Sequence, residues 1–383
     1  MEAPQDQTLD NLFAVAEAFA AHGQVIAVQP YGSGNVHDTF LVTVGGAQPL
    51  ALEGAGESRF ILQRLNTRVF RQPELVMANL RTCTEHLRRR LEQVPAGAGR
   101  RWEAPRVLLT RDGRDHVIDS SGAFWRALSF IDAAQTFDII KDMAHAREVG
   151  YALGRFHLLL SDLPPERLAD TLPGFHVTPC YLRHYDEVLA KRGAPTSPEA
   201  AYALQFISAR RGWVAVLEEA RAQGKLDLRA IHGDPKVNNV MLNAATGRAV
   251  AMVDLDTVKP GLVHYDIGDC LRSGCNPLGE ETEEWERVCF EPDLGRAILA
   301  GYLAEAGDFL TPNDYAYLFE AIRLIAFELG LRFFTDYLAG NVYFKARHRD
   351  HNLARALVQF RLTESIESQE TALRAMIRDE SPV

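Results

Sequence analysis

The feature that most constrains this chain is the run His232-Gly-Asp-Pro-Lys-Val-Asn-Asn239, with Asp254-Leu-Asp256 behind it. His, Gly, Asp, Pro and Asn are all turn formers, so the run taken alone is a polar loop. The next residues restrict it further. Residues 240–242 and 249–253 are short apolar, β-prone patches around Thr246-Gly247, the pattern of a hairpin. A hairpin returns the chain to its starting end. Asp254 and Asp256 should therefore stand beside the loop that carries Asp234 and Asn239.

The residue types fit one chemistry. Transfer of a phosphoryl group to a hydroxyl needs a carboxylate to orient or deprotonate the acceptor, and hard oxygen ligands for magnesium on the phosphates. Asp234 is the candidate base. Asn239, Asp254 and Asp256 are candidate ligands for Mg2+. Lys236 is a cation placed to stabilise charge on the migrating group. ATP and Mg2+ are the expected cofactors.

The rest of the chain supplies the scaffold. Residues 8–21 have helical apolar spacing and suit a lid or docking helix. Residues 25–30 and 39–44 are β-rich and flank Tyr31-Gly-Ser-Gly-Asn-Val-His-Asp38, the order expected of a loop folded over phosphates; residues 59–65 add a strand. Residues 73–91 read as a helix with Pro73 in its first turn. Residues 106–109 and 115–118 read as strands of a hairpin about Asp112-Gly113, and residues 124–131 as a further strand. Beyond that, residues 143–161, 201–222 and 315–338 carry helical patterns. Residues 280–286 are Glu-rich and read as a solvated face or loop, and residues 379–383 as a frayed end.

At 383 residues the chain is long enough for two lobes, and 47% hydrophobic with 24% charged residues is ordinary globular composition. A net charge of −10 argues against nucleic acid or an anionic membrane as partner. The most apolar helical stretch is interrupted by Glu328, Arg332 and Asp336, too charged to cross a bilayer. The first residues lack a basic n-region, and five scattered cysteines without a C-x-x-C suit free thiols; a cytoplasmic protein is expected.

The motifs resemble the aminoglycoside phosphotransferase and choline kinase branch of the protein kinase-like fold, in which the loop reads H-G-D-x-x-x-x-N and the metal motif I-D-x-[DE]. A closer likeness is to the N-acetylhexosamine 1-kinases. It rests on Asn35-Val-His-Asp-Thr-Phe40, Ile61-Leu-Gln-Arg-Leu-Asn66, Asp254-Leu-Asp-Thr-Val258, Tyr265-Asp-Ile-Gly-Asp269, and Leu331-Arg-Phe-Phe-Thr-Asp-Tyr-Leu338 with Val342-Tyr-Phe-Lys345. It implies an α+β, two-lobed fold, with a β-rich N-lobe over residues 1–127, a helical C-lobe over residues 128–383, and Mg-ATP in the cleft between them.

The resemblance also implies an acceptor: a small-molecule sugar held by Asp234, Arg332 and Tyr343, with Asn35 and His37 reaching it from the nucleotide loop. Asn35 departs from the His expected there. On the nucleotide side it points to Gly32, Ser33 and Gly34, to backbone groups around Phe130 for the adenine, and to Gln63 or Arg64 where most kinases carry a strand lysine, with Glu85 as a candidate partner. His232 is implied to brace the loop. Asp266 and Asp269 fall late in the loop after the metal motif, where the resemblance implies that they mainly brace the catalytic loop, with Asp269 structural and Arg272 a candidate partner for it; His157 reads as a satisfied core histidine. Two alternatives remain at this level: a kinase of another small alcohol such as an aminoglycoside or choline, and a nucleotide-binding pseudokinase scaffold.

Overall fold

The computed structural model describes residues 5–20, 23–32, 36–46, 58–93 and 100–381. The chain divides into two compact units, Met1–Pro95 with Glu103–Asp132, and Ala96–Trp102 with Ala133–Val383.

The first unit runs α1 (Gln5–Phe19), β1 (Gln24–Pro30), β2 (Asp38–Gly45), β3 (Ser58–Arg64), α2 (Pro73–Glu92), β4 (Val107–Leu108), β5 (Val117–Ile118) and β6 (Phe124–Ser129). The strands form one antiparallel sheet in the order β1-β2-β3-β6-β4, with β5 also on β6. Alternation decides what faces inward: Val42, Val44, Phe60 and Leu62 point to one side and pack on Val15, Ala16 and Phe19 of α1. Each such buried side chain contributes roughly 1.5–3 kcal/mol. The helix expected over residues 8–21 is α1, Gln5–Phe19, and it docks on the sheet; residue 21 lies outside the described residues. The turn at Asp112-Gly113 forms, with Gly113 donating its N–H to the Thr110 carbonyl at 2.9 Å. Its flanking strands do not pair with each other as expected. Both lie on β6, at Leu128/Ala127 and at Trp125/Phe124, because the long apolar β6 offers the larger partner.

The second unit continues with β7 (Ala134–Gln135), α3 (Met143–Leu160), α4 (Thr178–Arg192), α5 (Pro198–Arg210), α6 (Val216–Ala222), β8 (Arg229–Ile231), β9 (Val240–Asn243), β10 (Ala249–Met252), β11 (Lys259–Gly261), α7 (Val263–Gly274), α8 (Pro292–Ala306), α9 (Pro312–Ala316), α10 (Leu318–Ala339), α11 (His351–Ser368) and α12 (Glu370–Glu380). Its β content is one three-stranded sheet, β10-β9-β7, and one pair, β11-β8. The core centres on α10 and α11, where Phe327, Leu331 and Phe334 meet Phe206 and Phe360. Helices α3 and α8 cross with their backbones touching: a Cβ on Gly150 would lie 1.8 Å from the Ile298 carbonyl oxygen, and one on Gly301 2.1 Å from that of Arg147.

Several expectations change here. The pattern over residues 201–222 is two helices separated by a turn at Arg211–Trp213, and that over 315–338 is interrupted at Tyr317. Asp266 and Asp269 sit on α7, not in a loop. Of the end expected to fray, Asp379 and Glu380 belong to α12, which buries Met376 and Ile377, while Pro382 and Val383 lie outside the described residues. Among the described residues no helix is long and apolar enough to cross a membrane.

Candidate active site

Strand β8 delivers the chain into His232. Gly233 comes next with φ +86°, and a Cβ there would lie 2.6 Å from the Thr257 carbonyl oxygen, so only glycine fits. The bend is pinned by a buried carboxylate: Asp266 accepts the His232 N–H at 2.6 Å and the Gly233 N–H at 2.8 Å. Asp266 is itself held by His157 Nε2 at 2.8 Å, whose other nitrogen lies 3.0 Å from the Tyr302 hydroxyl. Burial would push the Asp266 carboxyl up, but His157 and the loop N–H groups outweigh it and hold it below the usual range. His157 is thus the satisfied core histidine expected. The brace itself falls to Asp266, while Asp269 bonds Arg272 at 2.8 Å.

His232 Nε2 donates to the Val253 carbonyl at 3.0 Å, and its Nδ1 accepts the Asp234 N–H at 3.3 Å. With both nitrogens engaged, it ties the loop to the residue before Asp254. Asp234 projects next, its Oδ2 2.8 Å from Lys236 Nζ. Burial disfavours the Asp234 carboxylate and Lys236 favours it; the balance holds its pKa below the ordinary value, so the group is ionised at neutral pH. Asn239 closes the loop by donating Nδ2 to the Asp234 carbonyl at 2.7 Å. That leaves Oδ1 as the ligand atom it can offer a cation.

The hairpin of β9 and β10 does return the chain as expected. The Val253 N–H donates to the Asn239 carbonyl at 2.9 Å, and Asp254 sits just beyond in the left-handed region, φ 63° and ψ 53°. A non-glycine residue in that region is uncommon and marks a place held by its surroundings. Asp254 is exposed and Asp256 buried, and a carboxylate oxygen of one lies within 4.8 Å of one of the other. Two carboxylates and a carboxamide oxygen are a hard-oxygen set of the kind Mg2+ takes.

Further along, α10 carries Arg332. Its guanidinium lies 5.1 Å from the Phe175 ring centroid, 5.0 Å from that of Tyr181 and 5.5 Å from that of Phe344. It makes no hydrogen bond or ion pair among the described residues. Burial disfavours its charge, but Tyr181, Tyr343, Glu328 and Asp234 act on it together to raise its pKa, so the guanidinium stays charged. One turn further, the buried Asp336 accepts the N–H groups of Val342, Tyr343 and Phe344 at 2.9, 2.8 and 3.0 Å, and Asn352 Nδ2 at 2.9 Å. That carboxylate shapes the loop that presents Tyr343, which is half exposed and meets Phe344 edge-on.

The remaining sequence candidates lie in the first unit. Gly32 has φ +75°; Ser33, Gly34 and Asn35 lie outside the described residues. His37 is buried, accepts the Asn66 N–H at 3.1 Å and lies against Phe70. Gln63 donates to the Thr39 hydroxyl at 3.2 Å and accepts from Arg126 Nη2 at 2.8 Å. Arg64 bonds Asp38 through Nε at 2.8 Å and lies over the Trp125 ring. Phe130 is covered by the Arg59 guanidinium at 4.5 Å. Glu85 pairs with Arg81 on its own helix at 3.6 Å.

Sequence reasoning passes over four groups. Arg126 is a fully buried cation on the same ladder as Gln63. Glu328 stands four residues before Arg332, a spacing that places both on one helix face and is a usable signal. His176 meets the Gly233 carbonyl of the loop bearing Asp234 from far away in sequence. Glu281, expected in a solvated face or loop, instead holds His351 at 2.9 Å and also pairs with Arg355.

Residues 27–311, more than half of the chain, match the sequence profile of the phosphotransferase enzyme family. Among solved structures the chain is similar to an aminoglycoside phosphotransferase from Alicyclobacillus acidocaldarius, at 16% identity over 96% of each chain with a TM-score of 0.56. It is also similar to a choline kinase from Cryptosporidium parvum, at 15% identity over 92% of this chain and 91% of that one, TM-score 0.56. A third is the GDP complex of wild-type aminoglycoside 2'-phosphotransferase-IIIa, at 13% identity over 96% and 100%, TM-score 0.52. At these identities the likeness establishes the protein kinase-like fold, and the profile establishes the rest: the chain belongs to the phosphotransferase enzyme family.

Proposed function

We propose that this protein phosphorylates the anomeric hydroxyl of a sugar, an N-acetylhexosamine, using Mg-ATP. The acceptor oxygen bonds to the γ-phosphorus, the bond to the β,γ-bridging oxygen breaks, and the products are a sugar 1-phosphate and ADP. Asp234, ionised and oriented by Lys236 and Asn239, takes the hydroxyl proton. Lys236 faces the charge that develops on the transferred group. Asn239, Asp254 and Asp256 would hold magnesium, which when bound neutralises the phosphate oxygens.

The observation that carries the acceptor assignment is the setting of Arg332. Three aromatic rings surround a position close enough to Asp234 for their charges to interact. Such a cage is the usual receptor for a quaternary ammonium or protonated amine. Here the chain's own guanidinium fills it. A cationic acceptor would meet like charge, whereas a neutral polyol with hydroxyl and amide oxygens would meet a donor whose N–H groups are otherwise unused. Tyr343, on the loop shaped by Asp336, suits stacking on a sugar ring. The base and all three oxygen ligands are present, which favours an enzyme over a pseudokinase scaffold. Free thiols at Cys83, Cys270 and Cys275, all buried, suit the reducing cytoplasm we assign to it.

The test is an ADP-release screen with Mg-ATP over free sugars, N-acetylated and free amino sugars, aminoglycosides and choline. N-acetylhexosamines should give the highest kcat/KM, and Arg332→Ala should lower it by about a hundredfold, the loss of one or two charge-assisted bonds. Turnover of choline or an aminoglycoside with none of any sugar would overturn the assignment. Asp234→Asn should lose turnover by several orders of magnitude while still binding ATP.

A further inference from the structure

We propose that His176 is a positioning residue for phosphoryl transfer: an imidazolium that fixes the peptide group in front of Asp234 by joining the Gly233 carbonyl to Glu328 on α10. This rests on Asp234 being the base.

The geometry is specific. His176 Nε2 lies 2.8 Å from the Gly233 carbonyl oxygen, and Nδ1 lies 3.0 Å from Glu328 Oε1. Both partners are acceptors, so both ring nitrogens must carry a proton for both bonds to form. The second Glu328 oxygen takes the Thr178 hydroxyl at 2.7 Å, at the start of α4. His176 and Glu328 are both buried, and Thr178 beside them is 1% exposed. His176 also has φ 63°, the left-handed region, which is unfavourable for a non-glycine residue. A strained backbone that delivers an imidazole between two buried acceptors is a placement its surroundings enforce.

The consequence lies in one peptide plane. The Gly233 carbonyl and the Asp234 N–H belong to the same peptide group. Its neighbour on the other side, the Gly233 N–H, is already fixed by Asp266. With the carbonyl fixed as well, the direction in which the Asp234 side chain leaves the backbone is set from both sides. The anchor is the helix that carries Arg332, one turn beyond Glu328. A single buried pair thereby sets the base against the residue proposed to hold the acceptor.

Facing the ring are Glu328 on α10, itself within charge range of Arg332, and, on α7, the stacked ring of Tyr265 and the carboxylate of Asp269. Burial works against the imidazolium, but Glu328 and Asp269 outweigh it and raise the pKa. A raised folded pKa means the bridge is complete at lower pH and is lost as pH rises through that value.

Histidine-labelled NMR on the intact chain, wild type against His176→Gln, should identify one imidazole whose two nitrogens are both protonated at pH 7 and stay so above the ordinary histidine range. In kinetics, with acceptor-free Mg-ATP hydrolysis and N-acetylglucosamine phosphorylation as parallel assays, His176→Gln should lower kcat about tenfold or more with the KM for ATP within about twofold. Glu328→Gln should move the alkaline limb of the pH profile acidward, because the ring loses the carboxylate that favours its charged form. A neutral ring at pH 7 in the wild type refutes the bridge whether or not the variants fold. Asp234→Asn separates the two levels. Full activity in that variant removes the base assignment and the bridge's purpose with it. An inactive Asp234→Asn beside variants with wild-type kcat and pH profile refutes the bridge alone.

Discussion

Replacing Asp336 by Asn changes one oxygen to an amide and leaves the shape intact. In the wild type Oδ1 accepts the Val342 and Tyr343 N–H groups, and Oδ2 accepts Phe344 N–H and Asn352 Nδ2. The variant can keep the first pair by presenting its carbonyl oxygen there. Its NH2 then faces two donors, and two bonds to a buried carboxylate are lost. Hydrogen bonds to a charged group are worth about 1.5–3 kcal/mol each. Asn352 can turn its amide and recover part, so the net loss is about 3 kcal/mol, confined to the loop carrying Tyr343. At 1.4 kcal/mol per decade that is about a hundredfold faster opening of the loop. Hydrogen–deuterium exchange resolves it: amides of residues 342–344 should exchange about a hundredfold faster, while those within α3 and α8 keep wild-type protection. With an acceptor in hand, its KM should rise and that for ATP should not. Unchanged protection at 342–344 would refute the claim that the carboxylate shapes this loop.

Gly233→Ala should lower stability by about 3 kcal/mol and turnover by at least tenfold, because a Cβ at φ +86° strains the backbone and meets the Thr257 carbonyl at 2.6 Å; a melting curve beside an activity assay checks both. Asp314 caps α9 through Thr311 and pairs with Arg229 at 2.9 Å, and although burial opposes it, these bonds hold its carboxyl below the usual range. Its contribution is present above the ordinary Asp pKa of about 3.9 and lost as pH falls through the depressed one. Asp314→Asn should therefore destabilise at pH 7 by about 1.5–3 kcal/mol, the worth of a hydrogen bond to a charged group, and its denaturation midpoint should converge with the wild type on acidification.

How much of the molecule is legible in its sequence depends on the distance over which each signal acts. The loop from His232 to Asn239, the hairpin behind it and Asp254 lie within a short stretch, so spacing alone places them. Arg332 and Tyr343 come from resemblance, because nothing local says that an arginine in an apolar helix will be ringed by Phe175, Tyr181 and Phe344. Glu328 is visible in the sequence only as a charge that spoils a membrane span; its partner His176 lies 152 positions away, and periodicity carries no information over that range. A row of glutamates is usually solvated, yet Glu281 finds His351 and Arg355 on a later helix. The strands at β4 and β5 are legible, but their pairing is not: a turn signal names neighbours in sequence, while β6 competes for both as the longer apolar strand.

The crossing of α3 and α8 divides the second unit into stiff and adjustable parts. Where carbonyl oxygens occupy the space a methyl group would need, neither helix can slide or roll without main-chain collision. Through His157 and Asp266 the loop bearing Asp234 is fastened to that keel. The loop bearing Tyr343 is fastened to α10 through Asp336 and, through Arg355, to Glu281, by side chains that substitution can exchange one at a time. If Tyr343 meets the acceptor as proposed, exchanges at Glu281 or Arg355 would alter that contact while His157 and Asp266 keep the Asp234 loop on α3, a way for one frame to serve many alcohols.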